Sequence, residues 1–192
     1  SAELTLKSKS IRRLSKKSIS SIFSFLSKHR IVGLDEATLK LANKKVIYVF
    51  NSGGQPTASN AARLLASHSA QSGKNVVICD TTGQSEKEIK EKPILENSDL
   101  PIVGMEKNIS VITGVNVGSF FTSSNFKSTI KDLIDGYDQV FVCSNNNNNQ
   151  LGLMALEDFV PGLVMISGLR KTRKSDIKKI KTKQTLDLLF YD

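Results

Sequence analysis

Tryptophan is absent from this chain, and aromatic residues make up only 6% of it. No apolar run approaches the roughly 18 to 20 residues that cross a bilayer as a helix, and the first residues do not resemble a secretory signal. Only two cysteines are present, Cys79 and Cys143, and each follows an apolar run typical of a strand. Buried thiols at strand ends fit a reducing compartment better than a disulfide framework. We therefore expect a soluble domain in the cytoplasm.

Histidine is equally scarce. His29 and His68 are the only two in the chain. Neither has a second histidine, cysteine or carboxylate at a spacing that would complete a zinc site. The sequence therefore predicts no metal centre of that kind.

The excess of positive charge is confined to two segments. Residues 1–30 and residues 170–183 each carry eight basic side chains and one acidic side chain. The 139 residues between them carry 11 basic and 14 acidic side chains, so the body is mildly acidic. Basic segments of this kind favour an anionic partner, such as lipid headgroups or nucleic acid. A solvated basic face without a partner is the alternative interpretation, above all for residues 170–183.

Residues 1–34 are predicted to be a basic leader or linker. Apolar residues recur in it at partly helical spacing, so it could form a basic amphipathic helix that lies on an anionic membrane surface or packs on a partner. Residues 170–183 lack the interleaved aromatic residues typical of single-strand binding, so nucleic acid is the weaker expectation.

Residues 35–192 are predicted to form one domain of alternating strands and helices. Apolar strands that alternate with helices predict an α/β fold with a parallel sheet covered on both faces. Residues 92–108, with Pro93 and Pro101, are expected to be a loop. The predicted strands are 45–51, 75–80, 109–113, 138–143, 162–167 and 185–191, and the predicted helices are 35–42, 57–72, 85–91, 123–135, 150–158 and 173–182.

The segment KVIYVFNSGGQPTASNAA, residues 45–62, predicts a strand, a glycine turn and a helix. A helix start preceded by glycines offers N–H donors and a favourable dipole to an anion. A nucleotide-hydrolysing phosphate loop also needs a lysine beside the glycines, followed by Ser or Thr for magnesium. The purely structural alternative is that Gly53 and Gly54 permit a tight turn and Pro56 begins the helix.

The order of these segments resembles the deviant-Walker P-loop family. Within it, the chain is most similar to the cytoplasmic kinase-like domain of bacterial polysaccharide co-polymerases, the bacterial tyrosine kinases. The resemblance covers about residues 35–192 and rests on GGQPTASNAARLLASHSAQSGKNVVICD, YDQVFVCS and GLVMISGLRKTRKSDIKKIK. It implies a P-loop NTPase-like fold, shared with MinD and ParA type positioning ATPases. It also implies a protein partner in a membrane-associated polysaccharide assembly, at the inner face of the bacterial membrane, and leaves a homo-oligomer open.

Several family positions are changed in this chain. The place of the phosphate-loop lysine holds Gly54, that of the magnesium hydroxyl holds Gln55, and that of the Walker B carboxylate holds Cys143. After the second strand Asp80 is kept, but the second acidic place holds Thr82. Metal-assisted phosphoryl transfer depends on such positioning and electrostatic stabilisation.

The sequence therefore predicts a domain without catalytic residues, metal or required cofactor. Weak residual binding of a nucleotide or anion is left open, at a vestigial site of Gly53, Gly54, Gln55, Thr57 and Asp80. Cys143 is taken as a degenerate Walker B position. The expected function is a scaffold or regulator of surface-polysaccharide synthesis or chain length. The alternatives are a nucleotide-binding positioning ATPase and, less favoured, a nucleic-acid-binding module.

The run of asparagines at 145–149 follows a predicted strand. Five consecutive amides do not form a packed core, so a variable solvent loop is the simpler interpretation. Its place at the carboxyl end of a strand, where open α/β sheets bind ligands, is the reason to consider a binding role.

Overall fold

The computed structural model describes residues 31–51, 58–82, 102–106, 108–112, 117–145, 149–168, 177, 180 and 182–191. The basic leader, the glycine turn and most of the basic segment 170–183 are outside this part of the chain. The predicted helix 85–91 and most of the predicted helix 173–182 also lie outside the described residues.

Strands and helices alternate through most of the described chain. The strands are β1 (Ile31–Val32), β2 (Val46–Asn51), β3 (Val76–Asp80), β4 (Ile102–Glu106), β5 (Ile109–Ile112), β6 (Gln139–Ser144), β7 (Gly162–Gly168) and β8 (Leu186–Tyr191). The helices are α1 (Leu34–Leu41), α2 (Ala58–Gln71), α3 (Val117–Thr122), α4 (Phe126–Gly136) and α5 (Asn149–Leu156), and a 3₁₀ turn follows at Glu157–Phe159.

These strands form a single sheet in the order β1-β8-β7-β2-β6-β3-β5-β4. The six central strands from β8 to β5 are parallel, whereas β1 and β4 pair antiparallel at the two edges. Every residue of β2, β3, β6 and β7 is buried. Continuous burial is the property of parallel strands that are covered on both faces, and the predicted fold class is confirmed.

The two faces of the sheet have different cores. Small and aliphatic side chains of α1 and α2 cover one face, where alanines such as Ala58, Ala62 and Ala66 let α2 approach the strands closely. Helices α3, α4 and α5 cover the other face. The few aromatic residues are concentrated there: Phe120 packs edge-on against Phe126 with ring centroids 5.0 Å apart.

The expectation that residues 92–108 form a loop is wrong for 102–106, which is strand β4. This strand turns back from β5 as an antiparallel neighbour, with an irregular register between Gly104 and Glu106. Asn108 adopts a φ of 77° in the connection, a left-handed conformation that asparagine tolerates better than most residues. A short strand with a glycine in its middle gives little periodic signal in the sequence.

None of the described helices is both long enough and apolar enough to cross a bilayer.

Candidate functional site

The candidate site lies at the carboxyl edge of the sheet, where β2, β3 and β6 end side by side. The register pairs Asp80 with Cys143 and Phe50 with Ser144. Helix α2 follows β2 and begins at Ala58 beside this edge. Parallel strands bring their carboxyl ends to one edge, and Asp80 and Cys143 are therefore neighbours there.

The carboxylate of Asp80 is buried and has partners on both of its oxygens. Its side chain faces α2 and is 1% exposed. Oδ2 accepts a short hydrogen bond from the Ser59 hydroxyl and lies 3.4 Å from Nη2 of Arg63. Oδ1 accepts from the backbone N–H of Thr82 at 3.0 Å and from its hydroxyl at 2.7 Å.

Arg63 is the cation that balances this buried carboxylate. Its side chain is only 14% exposed, and its Nε donates to the Ser59 hydroxyl at 3.2 Å. Ser59 and Arg63 are four residues apart on α2, so they lie on the same face of the helix. A carboxylate out of water is costly unless it is paired and hydrogen-bonded. The Ser59–Arg63–Thr82 arrangement meets that requirement within the protein.

Cys143, which the resemblance aligns with the Walker B carboxylate, is a buried free thiol. It is fully buried among the aliphatic side chains beneath α2, and its Sγ donates a weak hydrogen bond to the Cys79 carbonyl at 3.7 Å. Burial raises its pKa well above the ordinary value, and the neighbouring Asp80 charge raises it further. A thiol that stays protonated is neither a nucleophile nor a metal ligand.

The asparagine run contributes to this edge from both of its ends. The side-chain oxygen of Asn145 accepts the backbone N–H of Ala58 at 3.2 Å, in the first turn of α2. Asn149 donates its amide to the Asn51 carbonyl at 2.8 Å. Free N–H groups at a helix start are the ones that would bind an anion, and Asn145 occupies one of them. Asn145 is in a loop, as expected, but has a specific partner in α2, whereas Asn149 is the first residue of α5. Residues 146–148 lie outside the described residues.

A second buried polar group lies on the opposite face of the sheet. The hydroxyls of Tyr48 and Ser144 share a short hydrogen bond. Burial raises the pKa of Tyr48. A Cβ on Gly152 would overlap the Tyr48 hydroxyl, so glycine is what lets α5 pass over this phenol.

Only part of the predicted site can be located. Asp80 and Cys143 are adjacent, whereas Gly53, Gly54, Gln55 and Thr57 lie outside the described residues. In the part of the chain that the structure covers, no group of three His, Cys, Asp or Glu side chains could hold a metal ion.

The sequence prediction missed Arg63. It treated Ser59 as a helix residue and Asn145 only as part of the asparagine run, and assigned neither a contact at this edge. One signal could have indicated Arg63, because it is the single arginine between residues 31 and 169 and lies in a helix that is rich in small and aliphatic residues and has no lysine or carboxylate. A long cation among such residues suggests a specific buried partner.

Comparison with known proteins identifies the fold. No family model matches the sequence, and no curated protein sequence is significantly similar to it. The VpsO kinase domain superposes with a TM-score of 0.63 at 12% identity, over 90% of this chain and 95% of that one. This chain has the fold of a kinase domain of that type. The kinase domain of the Escherichia coli tyrosine kinase ETK gives a TM-score of 0.57 at 13% identity, over 92% of this chain and 77% of its own.

A third solved structure, the chimerical protein CapA2B2, superposes with a TM-score of 0.62 at 17% identity, over 76% of this chain and 73% of that one. The tyrosine-kinase resemblance seen in the sequence is thus confirmed at the level of fold. At such low identities the chemistry has to be argued from the residues of the site.

Proposed function

We propose that this domain is a non-catalytic relative of the bacterial tyrosine kinase domains. It would act as a scaffold or regulator in the synthesis of a surface polysaccharide or in the control of its chain length. The proposal that the domain is non-catalytic depends on one observation. Both carboxylate oxygens of Asp80 already have partners within the protein, namely Ser59, Arg63 and Thr82.

The position of Asp80 supports this interpretation. A carboxylate that helps to bind hydrated magnesium needs an open face toward the phosphates. Asp80 has none in the described part of the chain, because one oxygen faces Arg63 and Ser59 and the other faces Thr82. To bind a metal ion, it would have to exchange a buried ion pair for that ion.

The changes in sequence point the same way. The phosphate-loop lysine is replaced by Gly54 and the metal-binding hydroxyl by Gln55. The Walker B place is the protonated thiol of Cys143. Removing one stabilising group at a phosphoryl-transfer site typically costs about 3 kcal/mol of transition-state stabilisation. Loss of three such groups leaves little catalytic advantage.

The polysaccharide role and the partner are proposed from the resemblance to polysaccharide co-polymerase kinase domains. Residues 1–30 supply the positive charge expected of a segment near anionic lipid.

Calorimetric titration of the full chain with ATP, with and without magnesium, tests the catalytic part. We expect no magnesium-dependent affinity in the micromolar range. The matched control is titration with magnesium alone, which gives the heat of nonspecific cation binding. Micromolar, magnesium-dependent binding would overturn the proposal, and dimerisation driven by that binding would favour a positioning ATPase.

Co-sedimentation with vesicles tests the membrane part. We expect the full chain to bind vesicles rich in phosphatidylglycerol at low salt and to be released at high salt. A chain without residues 1–30 should stay in solution, and vesicles of phosphatidylcholine serve as the control. Failure of the full chain to bind would contradict membrane contact and would leave the non-catalytic proposal untouched.

A further inference from the structure

The amino edge of the sheet, opposite the candidate site, carries two adjoining cavities. One has a volume of about 430 Å³ and the other about 390 Å³. Both lie within the range of ordinary small-molecule sites. They share four lining residues, Pro161, Leu163, Lys183 and Gln184, and we call the two together the amino-edge groove.

Three lysines line the larger cavity of this groove, and two of them are available to a ligand. Lys40 is already held by Glu36 at 2.7 Å and by Asp187 at 3.0 Å. Lys44 is half-buried, and its ammonium makes one long hydrogen bond, 3.5 Å to the Val160 carbonyl. Lys183 is exposed and forms no ion pair within the described part of the chain.

Gln184 supplies a second, independent feature. It lines both cavities, and its side-chain Oε1 is buried without a hydrogen-bond partner among the residues that the structure describes. Its backbone N–H donates to the Thr182 hydroxyl at 3.1 Å, which fixes the turn that leads into β8. A buried acceptor without a donor is costly, and such groups are few in folded proteins. A ligand with an O–H or N–H group would remove that cost.

The groove has both apolar and charged walls: the Asp187 carboxylate, paired with Lys40, lines the larger cavity, and the Glu157 carboxylate lines the smaller one. Leu41, Pro161 and Leu163 form part of the larger cavity, and the absence of a side chain at Gly162 leaves room for Leu41. The aliphatic side chains can pack against the C–H groups of a compact carbon skeleton. The two lysines can pair with an oxyanion, and Gln184 can accept a hydrogen bond from a hydroxyl.

We propose that the amino-edge groove binds a small hydroxylated oxyanion, of the sugar phosphate or sugar acid class. Lys44 and Lys183 contact the phosphate or carboxylate, and the partly buried Gln184 amide turns so that its Oε1 accepts a hydrogen bond from a ligand hydroxyl. The groove lies at the edge of the sheet opposite Asp80, so this proposal does not depend on the function proposed above.

Nuclear magnetic resonance titration of the ¹⁵N-labelled full chain tests it with three probes: glucose 6-phosphate, inorganic phosphate and glucose. We expect glucose 6-phosphate to shift the Gln184 side-chain amide and the Gly162 backbone amide and to bind more tightly than either other probe. Lys44→Gln and Lys183→Gln should each weaken that binding about tenfold, as expected for loss of one charge-assisted hydrogen bond. Gln184→Leu should remove the preference for glucose 6-phosphate over phosphate.

Lys131→Gln is the matched control, because Lys131 is an exposed lysine on α4, away from the groove. Thermal unfolding of each variant verifies that it is folded. The proposal is overturned if glucose 6-phosphate leaves Gln184 and Gly162 unshifted, or if Lys131→Gln weakens binding as much as Lys44→Gln. It is also overturned if Gln184→Leu keeps the full preference for glucose 6-phosphate. Binding to phosphatidylinositol vesicles without binding to the free sugar phosphate would replace the small ligand with a lipid headgroup and likewise overturn it.

Discussion

Arg63 lies 3.4 Å from Asp80, and both side chains are buried between α2 and the carboxyl edge of the sheet. In a nucleotide-binding domain this carboxylate would face a metal ion with its water ligands. Here a cation of the protein itself takes the place of an external charge. The ion pair therefore gives Arg63 a structural role that can be tested.

Replacement of Arg63 by methionine should be strongly destabilising. Methionine keeps much of the packing volume but leaves the Asp80 carboxylate buried without its cation. Removal of one partner of a buried ion pair typically costs about 3–5 kcal/mol. Urea denaturation of Arg63→Met at neutral pH measures the free energy of unfolding.

A double-mutant cycle isolates the pair. Arg63→Met combined with Asp80→Asn should be more stable than Arg63→Met alone, because no buried charge is left. Lys127→Met is the control, since its ion pair with Asp158 is exposed and should matter little to stability. An Arg63→Met protein as stable as the parent would contradict the compensating role of Arg63.

Much of the fold could be predicted from the sequence. All six parallel strands were predicted close to their observed bounds because each is a buried apolar run followed or preceded by a helix. The edge strands β1 and β4 and the short helix α3 were missed. Two-residue and glycine-interrupted strands carry too little periodicity to be recognised.

The candidate site was predictable only in part, for a geometric reason. The adjacency of Asp80 and Cys143 follows from their equivalent places at the ends of parallel strands. The contact between Arg63 and Asp80 depends on how α2 is rotated against the sheet, and residue spacing does not determine that rotation. The contact of Asn145 was not predictable for the same reason. Its side-chain oxygen accepts the N–H of Ala58, which is distant in sequence, and that contact also depends on how α2 is placed.

Introduction of a side chain at Gly152 should disturb the packing of α5. An alanine Cβ there would overlap the hydroxyl and ring of Tyr48. Overpacking of a buried contact typically costs about 1–3 kcal/mol, so we expect Gly152→Ala to lower the free energy of unfolding by that amount. Tyr48→Phe should relieve the overlap only partly, because the ring remains.

Gly136→Ala provides the matched control for that experiment. Gly136 is the last residue of α4, and a Cβ there would have open space around it. Alanine should be tolerated or slightly stabilising at this position. Equal destabilisation by both alanine substitutions would contradict the specific fit between Gly152 and Tyr48.

The Asn145 side chain should act as a cap for α2. Asn145→Ala removes the acceptor of the Ala58 N–H, and loss of a cap at a helix start typically costs about 1 kcal/mol. Asn145→Asp keeps an acceptor and adds a negative charge near the positive end of the helix, so it should retain more stability than Asn145→Ala. Chemical denaturation of the three proteins gives the order, and an alanine variant as stable as the aspartate variant would contradict capping.

Alkaline pH should destabilise the protein through its buried thiols. Burial raises the pKa of Cys79 from 9.0 to about 12, and it raises that of Cys143 well above 9.0. Because the folded-state pKa is raised, the stabilising contribution is complete below the unfolded-state value and is lost as the pH rises from about 9 toward 12. Each thiol that ionises only on unfolding contributes a slope of about 1.4 kcal/mol per pH unit within this window.

Denaturant titrations between pH 8 and pH 11 check this slope. Cys79→Ala combined with Cys143→Ala should flatten the decline above pH 9, although the cavities lower stability at every pH. The double variant should still lose stability above pH 10, because burial also raises the pKa of Tyr48 and its hydroxyl ionises more readily in the unfolded chain. A decline of unchanged steepness between pH 9 and 10 in the double variant would show that other groups cause it. Ready reaction of either thiol with a thiol reagent in the folded protein at pH 8 would contradict their burial as protonated groups.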